Sequence, residues 1–147
     1  MEISILSEVT DEVVEAFARL VPQLSSSAAA PTRAEIQDMV DSGCSIVFLA
    51  RDEEAGGRIA GSLTLVIFRV PTGLRAWIED VVVDETTRGK GTGEALTRAA
   101  LEEARRRSVK NVDLTSRPSR EAANRLYQRV GFALRHSNLY RYDLTQS

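Results

Sequence analysis

The sequence predicts a mixed α/β fold in which a mixed central sheet is flanked by helices, within one domain spanning residues 1–147. Three observations lead there. Apolar residues are spaced for helices from Asp11 to Gly43, and the period then changes to that of strands. A glycine-rich turn joins the last strand of that block to another helical stretch. A further apolar run follows that helix, giving a strand–helix–strand unit whose two strands should lie parallel with a right-handed crossover. The chain is long enough to bury a full hydrophobic core, and it shows no internal repeat and no sign of a domain boundary.

Each element can be justified in order. Glu2 to Leu6 (EISIL) alternates and reads as a short strand. The stretch DEVVEAFARLVPQL places Val13, Val14, Ala16, Phe17, Leu20 and Val21 at helical spacing, with Pro22 expected to end the helix. Ser25 to Pro31 is small and polar and reads as a connection. In TRAEIQDMVDSG, Thr32 is an N-cap with Glu35 three residues on, the pattern of a capping box, and Gly43 follows the end. CSIVFLAR, RIAGSLTLVIFRV and LRAWIEDVVVD are three strands separated by short turns, an antiparallel meander. A helix from Gly93 to about Arg107 then presents Ala95, Leu96, Ala99, Ala100 and Ala104 on one face. VKNVDLTS is a strand. SREAANRLYQRVG is the last helix, with Ala122, Ala123, Leu126, Tyr127 and Val130 on one side and Gly131 as its stop. FALRHS and LYRYDL are expected to close the chain as a hairpin around Ser137-Asn138. The order is β-α-α-β-β-β-α-β-α-β-β.

Composition narrows the function. No apolar run approaches the roughly 20 residues that cross a bilayer, and the acidic N-terminus does not read as a signal peptide. A cytoplasmic location without membrane partners is the default expectation. Cys44 and His136 are the only cysteine and histidine, which rules out a zinc site built from several such ligands, and no metal is expected. Cys44 opens an apolar strand and reads as core. Residues 1–87 hold 6 Lys/Arg against 15 Asp/Glu, a net −9, and residues 88–147 hold 13 against 6, a net +7. Such a division suits one anionic and one cationic ligand, although solvated surface alone would also produce it. The run EEARRR lies at a helix C-terminus, where cations are favoured, and it lacks interleaved aromatics; it reads as solvated helix surface rather than a nucleic-acid site.

The turn DETTRGKGTGEAL carries Gly89, Gly91 and Gly93 alternating with Arg88, Lys90 and Thr92. Glycines admit positive φ and let a ligand approach the backbone. Successive N–H groups leading into a helix N-terminus form an anion site. A phosphate or diphosphate is therefore expected. The P-loop pattern fails because Gly91 follows Lys90. The dinucleotide pattern fails because Glu94 stands where its third glycine belongs.

With these residues in view, Arg88-Gly89-Lys90-Gly91-Thr92-Gly93 resembles R/Q-x-x-G-x-G/A, the acetyl-CoA diphosphate signature of the GNAT family of N-acetyltransferases. About 35 residues further on, ANRLYQRVGF is similar to that family's fourth-helix segment, with Leu126-Tyr127 and Gly131-Phe132 in the matching places. The resemblance covers roughly Gly57 to Leu144 and is weak over residues 1–45, where the family meets its acceptor. It implies the acyl-CoA N-acyltransferase fold and acetyl transfer from acetyl-CoA, as co-substrate, to a primary amine in a ternary complex. A small-molecule acceptor is favoured over a peptide.

The resemblance also implies roles. Backbone amides from Arg88 to Gly93, Thr92 included, would hold the diphosphate. The backbones of Val81 and Val83 would pair with the pantetheine arm, and an amide there would serve the oxyanion. Asn124 would touch the pantetheine or the splayed strand. Tyr127 would be the general acid at the thioester sulfur, whereas its helical spacing alone reads as a core aromatic. Glu79 would be the base, with Asp80 or a water as alternatives. Because adjacent strand residues face opposite sides, only one of Glu79 and Asp80 is expected on the acceptor side. The rival reading is a regulatory module that binds acyl-CoA without turnover, and a longer acyl donor remains compatible with the motif. A homodimer through the C-terminal edge LYRYDL is a further expectation.

Overall fold

The computed structural model describes residues 1–145. It contains a five-stranded mixed sheet in the order β1-β2-β3-β4-β5. The strands are β1 (Glu2–Ile5), β2 (Ser45–Asp52), β3 (Arg58–Val70), β4 (Gly73–Val83) and β5 (Val112–Asp113). The helices are α1 (Asp11–Leu24), α2 (Arg33–Asp41), α3 (Thr92–Arg106) and α4 (Glu121–Val130). The first four strands pair antiparallel with their neighbours. β5 joins β4 in parallel after the α3 crossover, as the sequence predicts. No helix among the described residues is long and apolar enough to cross a membrane.

The sheet separates two apolar layers. On one face, Val13, Ala16, Phe17 and Leu20 of α1 and Ile36 of α2 pack against Val47, Leu49, Ile59 and Val82. On the other, Leu96, Ala100 and Ala104 of α3 meet Phe48, Leu63, Leu65, Ala76 and Ile78. Alternation along β2 and β3 sends successive residues to opposite layers. Gly61 permits the second layer to close. A Cβ there would stand 3.0 Å from the Val82 carbonyl and 3.2 Å from both Leu96 Cδ1 and Thr92 Cγ2, so any larger residue would push α3 off β3.

Three expectations are corrected. Pro22 does not end α1, which runs to Leu24. A proline in the last turn removes one amide donor only, and the Ser25 N–H closes the helix on the Val21 carbonyl at 2.9 Å. The strand expected over VKNVDLTS shrinks to Val112–Asp113. Finally, the hairpin expected from FALRHS and LYRYDL does not form: no strand lies beyond β5 among the described residues. A two-residue β5 offers too short an edge to template another strand. Leu134, Leu139, Tyr140, Tyr142 and Leu144 are exposed as a result. The Thr32–Glu35 capping box of α2 is present as predicted.

One ion pair ties the layers together at the end of β4. Arg19 of α1 donates to Asp84 Oδ2 at 2.5 Å and to the Ile59 carbonyl at 2.9 Å. Asp84 is buried, and its Oδ1 accepts from the Thr86 amide at 3.1 Å and the Thr86 hydroxyl at 3.0 Å. Burial pushes the Asp84 carboxyl up, but Thr86 and the Arg19 guanidinium outweigh it and hold the group below the usual carboxylate range. Removing one partner of a buried pair leaves an uncompensated charge. Arg19→Ala is therefore expected to cost about 3 kcal/mol in urea denaturation at neutral pH. Because the folded-state value is depressed, the contribution is present above the ordinary carboxylate range and disappears as pH falls through the folded value. The difference between wild type and variant should accordingly narrow in acid.

Candidate active site

The site is organised by an insertion in β4. Thr64 pairs with Glu79 and Ser62 pairs with Val82, so Asp80 and Val81 together oppose Leu63. Asp80 takes φ +49°, a left-handed conformation unusual outside glycine. This bulge breaks the alternation assumed from sequence. Ile78 faces the α3 layer and Val82, four residues later, faces the α1 layer. Glu79 and Asp80 are both exposed.

The bulge coincides with the end of strand pairing. Trp77↔Asp113 is the last pair between β4 and β5, and from Ile78 onward the β5-facing edge of β4 has no strand beside it. The Asp84 amide donates to the Ala60 carbonyl on β3 at 2.8 Å. Backbone groups alternate along a strand, so Val83 and Val81 direct theirs to the open edge. That edge is a place where an extended chain can add as a strand.

The glycine turn lies directly after it. Asp84 caps a single 3-10 turn over Glu85–Thr87. Residues 88–91 are exposed, and Gly89 and Gly91 have φ of +87° and +77°. A Cβ on either would meet nothing within 4 Å, so the space beside both is open. Gly91 is the N-cap of α3 and no side chain caps the helix, which leaves its first amide N–H groups for an outside acceptor. The helix dipole favours an anion at this end. Arg88 is exposed and makes no ion pair among the described residues, whereas Lys90 is paired with Asp52 at 3.1 Å and Glu54 at 3.2 Å. Sequence inspection missed Asp52 and Asp84 as partners of this region. Their local signal was only that each stands at the end of a strand and precedes acidic or hydroxyl residues.

α4 completes the cleft. A Cβ on Gly93 would stand 3.4 Å from Leu126 Cδ1 and 3.8 Å from Val83 Cγ2, so the end of β4, the start of α3 and α4 converge there. Glu94 in the first turn of α3 bridges to Arg129 at 3.0 Å and to Arg98 at 3.1 Å, binding α3 to α4. Tyr127 is half-buried with its ring edge against Phe132, centroids 5.8 Å apart. Burial pushes its phenol above the ordinary value, against a smaller opposing pull from Arg120, and keeps the proton on. The Asn124 amide donates to the Arg117 carbonyl at 2.9 Å, so part of its hydrogen-bonding capacity shapes the loop before α4. The EEARRR run is helix surface: Arg106 and Arg107 both pair with the buried Glu103, and Arg105 with Glu102.

An interrupted β4–β5 pairing beside an uncapped, glycine-led helix is the arrangement implied by the motifs, and residues 9–132 match the family model of the acetyltransferase (GNAT) family. The chain belongs to the GNAT acetyltransferase family. It is 29% identical over 127 residues to glucosamine 6-phosphate N-acetyltransferase 1 of Oryza sativa subsp. japonica, covering 82% of this chain and 75% of that one. It is 36% identical over 73 residues to N-alpha-acetyltransferase 30 of Schizosaccharomyces pombe, a match spanning half of this chain and 48% of that protein's length. Among solved structures, an acetyltransferase of Trypanosoma brucei superposes with a TM-score of 0.79 at 29% identity, covering 97% of this chain and 99% of the other. The superposition shows the shared fold, and the family match together with these relatives supports the acyltransferase class of the chain.

The Tyr127 environment has a direct spectroscopic consequence. In an alkaline titration followed by phenolate absorbance, Tyr127→Phe should remove a component that ionises above about 10, the ordinary tyrosine value. Retention of that component would show that the burial described here does not act on this ring.

Proposed function

We propose that this protein transfers an acetyl group from acetyl-CoA to a primary amine by direct attack in a ternary complex, with a small-molecule acceptor favoured over a peptide. One observation carries the reading: the unpaired edge of β4 runs straight into an uncapped α3 N-terminus with open space beside Gly89 and Gly91. The first feature suits an amide-bearing arm and the second a diphosphate. The amides of Arg88 to Gly93 take the diphosphate, and the edge groups of Val81 and Val83 take the pantetheine and the developing oxyanion. Asn124 contacts the pantetheine with the capacity left after its bond to Arg117.

Tyr127 keeps its proton at neutral pH because burial disfavours the phenolate. That suits a donor to the departing thiolate sulfur. Glu79 acts as base on the attacking ammonium, directly or through water. Both Glu79 and Asp80 are exposed beside the bulge, which gives the amine side of the cleft a negative charge. The preference for a small amine is supported by the longer of the two matches, to a glucosamine 6-phosphate N-acetyltransferase.

The first test is a thermal-shift titration with acetyl-CoA. At 100 times its dissociation constant the ligand should stabilise wild type by about 2.7 kcal/mol. Gly91→Glu, which places a carboxylate in the anion site and a side chain at a left-handed φ, should abolish the shift. Thiol release with a panel of primary amines follows, where Tyr127→Phe and Glu79→Gln should each lower kcat by about 100-fold. Binding without thiol release from any amine would favour an acyl-CoA-binding regulatory module instead, and no shift in either protein would end the acetyltransferase reading of this site.

The exposed segment after α4 supports one statement about assembly. Leu139, Tyr140, Tyr142 and Leu144 are uncovered in the single chain, and we propose that a second copy covers them. Light scattering at micromolar concentration should give a dimer mass for wild type and a monomer mass for Tyr142→Asp. A monomeric wild type would rule the dimer out.

A further inference from the structure

We infer that Asp52, acting through Lys90, positions the glycine turn for its anionic ligand. The inference rests on reading that turn as the diphosphate site of acetyl-CoA.

Lys90 stands between two glycines that both occupy the left-handed region. Neither has a side chain to fix it, and the space beside each is open. Glycine in such a turn keeps more backbone freedom than any other residue. A site that relies on backbone amides needs those amides held in one arrangement. Among the described residues, the only side-chain hydrogen bonds of the segment from Gly89 to Gly91 are those of Lys90. Its Nζ lies 3.1 Å from Oδ2 of Asp52, the last residue of β2, and 3.2 Å from Oε2 of Glu54 in the turn that follows.

Asp52 is suited to hold it. The residue is 3% exposed and its other oxygen, Oδ1, accepts from the Glu54 amide at 3.0 Å. The carboxylate is thus fixed in orientation before it meets the ammonium. The Lys90 hydrogen bond holds the Asp52 carboxyl below its usual range. Asp52 and then Glu54 raise the Lys90 ammonium above its own. With Asp84 securing the start of the turn through Thr86 and Arg19, two buried aspartates from two strand ends bracket it.

The pairing changes what Lys90 contributes. An ammonium held between two carboxylates offers little net attraction to a diphosphate. The charge that recruits the ligand then comes from the turn amides, the α3 N-terminus and Arg88, while Lys90 supplies geometry. Asp52 is a positioning residue in this scheme and touches no substrate atom.

The opposite role for Lys90, a direct phosphate contact that Asp52 merely competes for, predicts the opposite sign, and this makes the test decisive. Calorimetric titration with CoA would be run on wild type, Asp52→Asn, Lys90→Met and the double variant, with steady-state kinetics against acetyl-CoA. We expect Asp52→Asn to weaken CoA about tenfold and raise KM for acetyl-CoA, with kcat at saturation unchanged. Lys90→Met, whose side chain is partly exposed and tolerates replacement, should weaken CoA comparably. The double variant should be no worse than the singles, since both remove one clasp. Unchanged or tighter CoA binding by Asp52→Asn, or a full additional loss in the Lys90→Met background, would overturn the proposal while leaving the CoA site intact. Failure of wild type to bind CoA would overturn the site reading and this inference with it.

Discussion

Asp80 occupies a left-handed backbone position opposite Leu63, and the C-terminal side of the sheet is arranged around that insertion. The extra residue reverses the side to which later side chains of β4 point. Ile78 closes the α3 layer, and Val82 is thereby free to close the α1 layer. β4 also leaves β5 after Trp77, three residues before the bulge, so its edge beyond that residue has no strand beside it among the described residues. A left-handed aspartate costs of order 1 kcal/mol or more and persists only where its surroundings enforce it. Here the β3 pairing on either side and the Arg19–Asp84 pair just beyond enforce it.

The anion end of the cleft obeys the same economy of backbone. It has few dedicated side chains: open glycines, an uncapped helix and one free arginine. Its rigidity comes from outside, from carboxylates at the ends of β2 and β4.

Much of this was legible in the sequence, because the signals are local. The capping box at Thr32, the period-two runs of β2 and β3 and the small-residue face of α3 each report within one element, and all three are as expected. The alternation of Arg88, Lys90 and Thr92 with glycines marked the turn that leads into α3. What was not legible depends on distant partners. Nothing near Asp80 marks a bulge, since the residue is not glycine and the strand run is unbroken. Pairing of Lys90 with Asp52 links positions 38 apart. The tail LYRYDL alternates like a strand, but a strand needs an edge, and β5 has two residues to offer.

Both apolar layers draw their fully buried residues from Leu6 to Ala104. α4 contributes none, and Val112, Leu114 and Phe132 only lean against the second layer. The two ends of the cleft therefore belong to regions of unequal cooperativity. β4 carries residues of both buried layers, whereas α4, which carries Tyr127, has no buried residue and is held by partly buried contacts and the Glu94–Arg129 ion pair. One side of Gly93 is thus built on the core of the domain and the other rests on its rim, so a substitution that loosens α4 should cost the fold less than one that loosens β4.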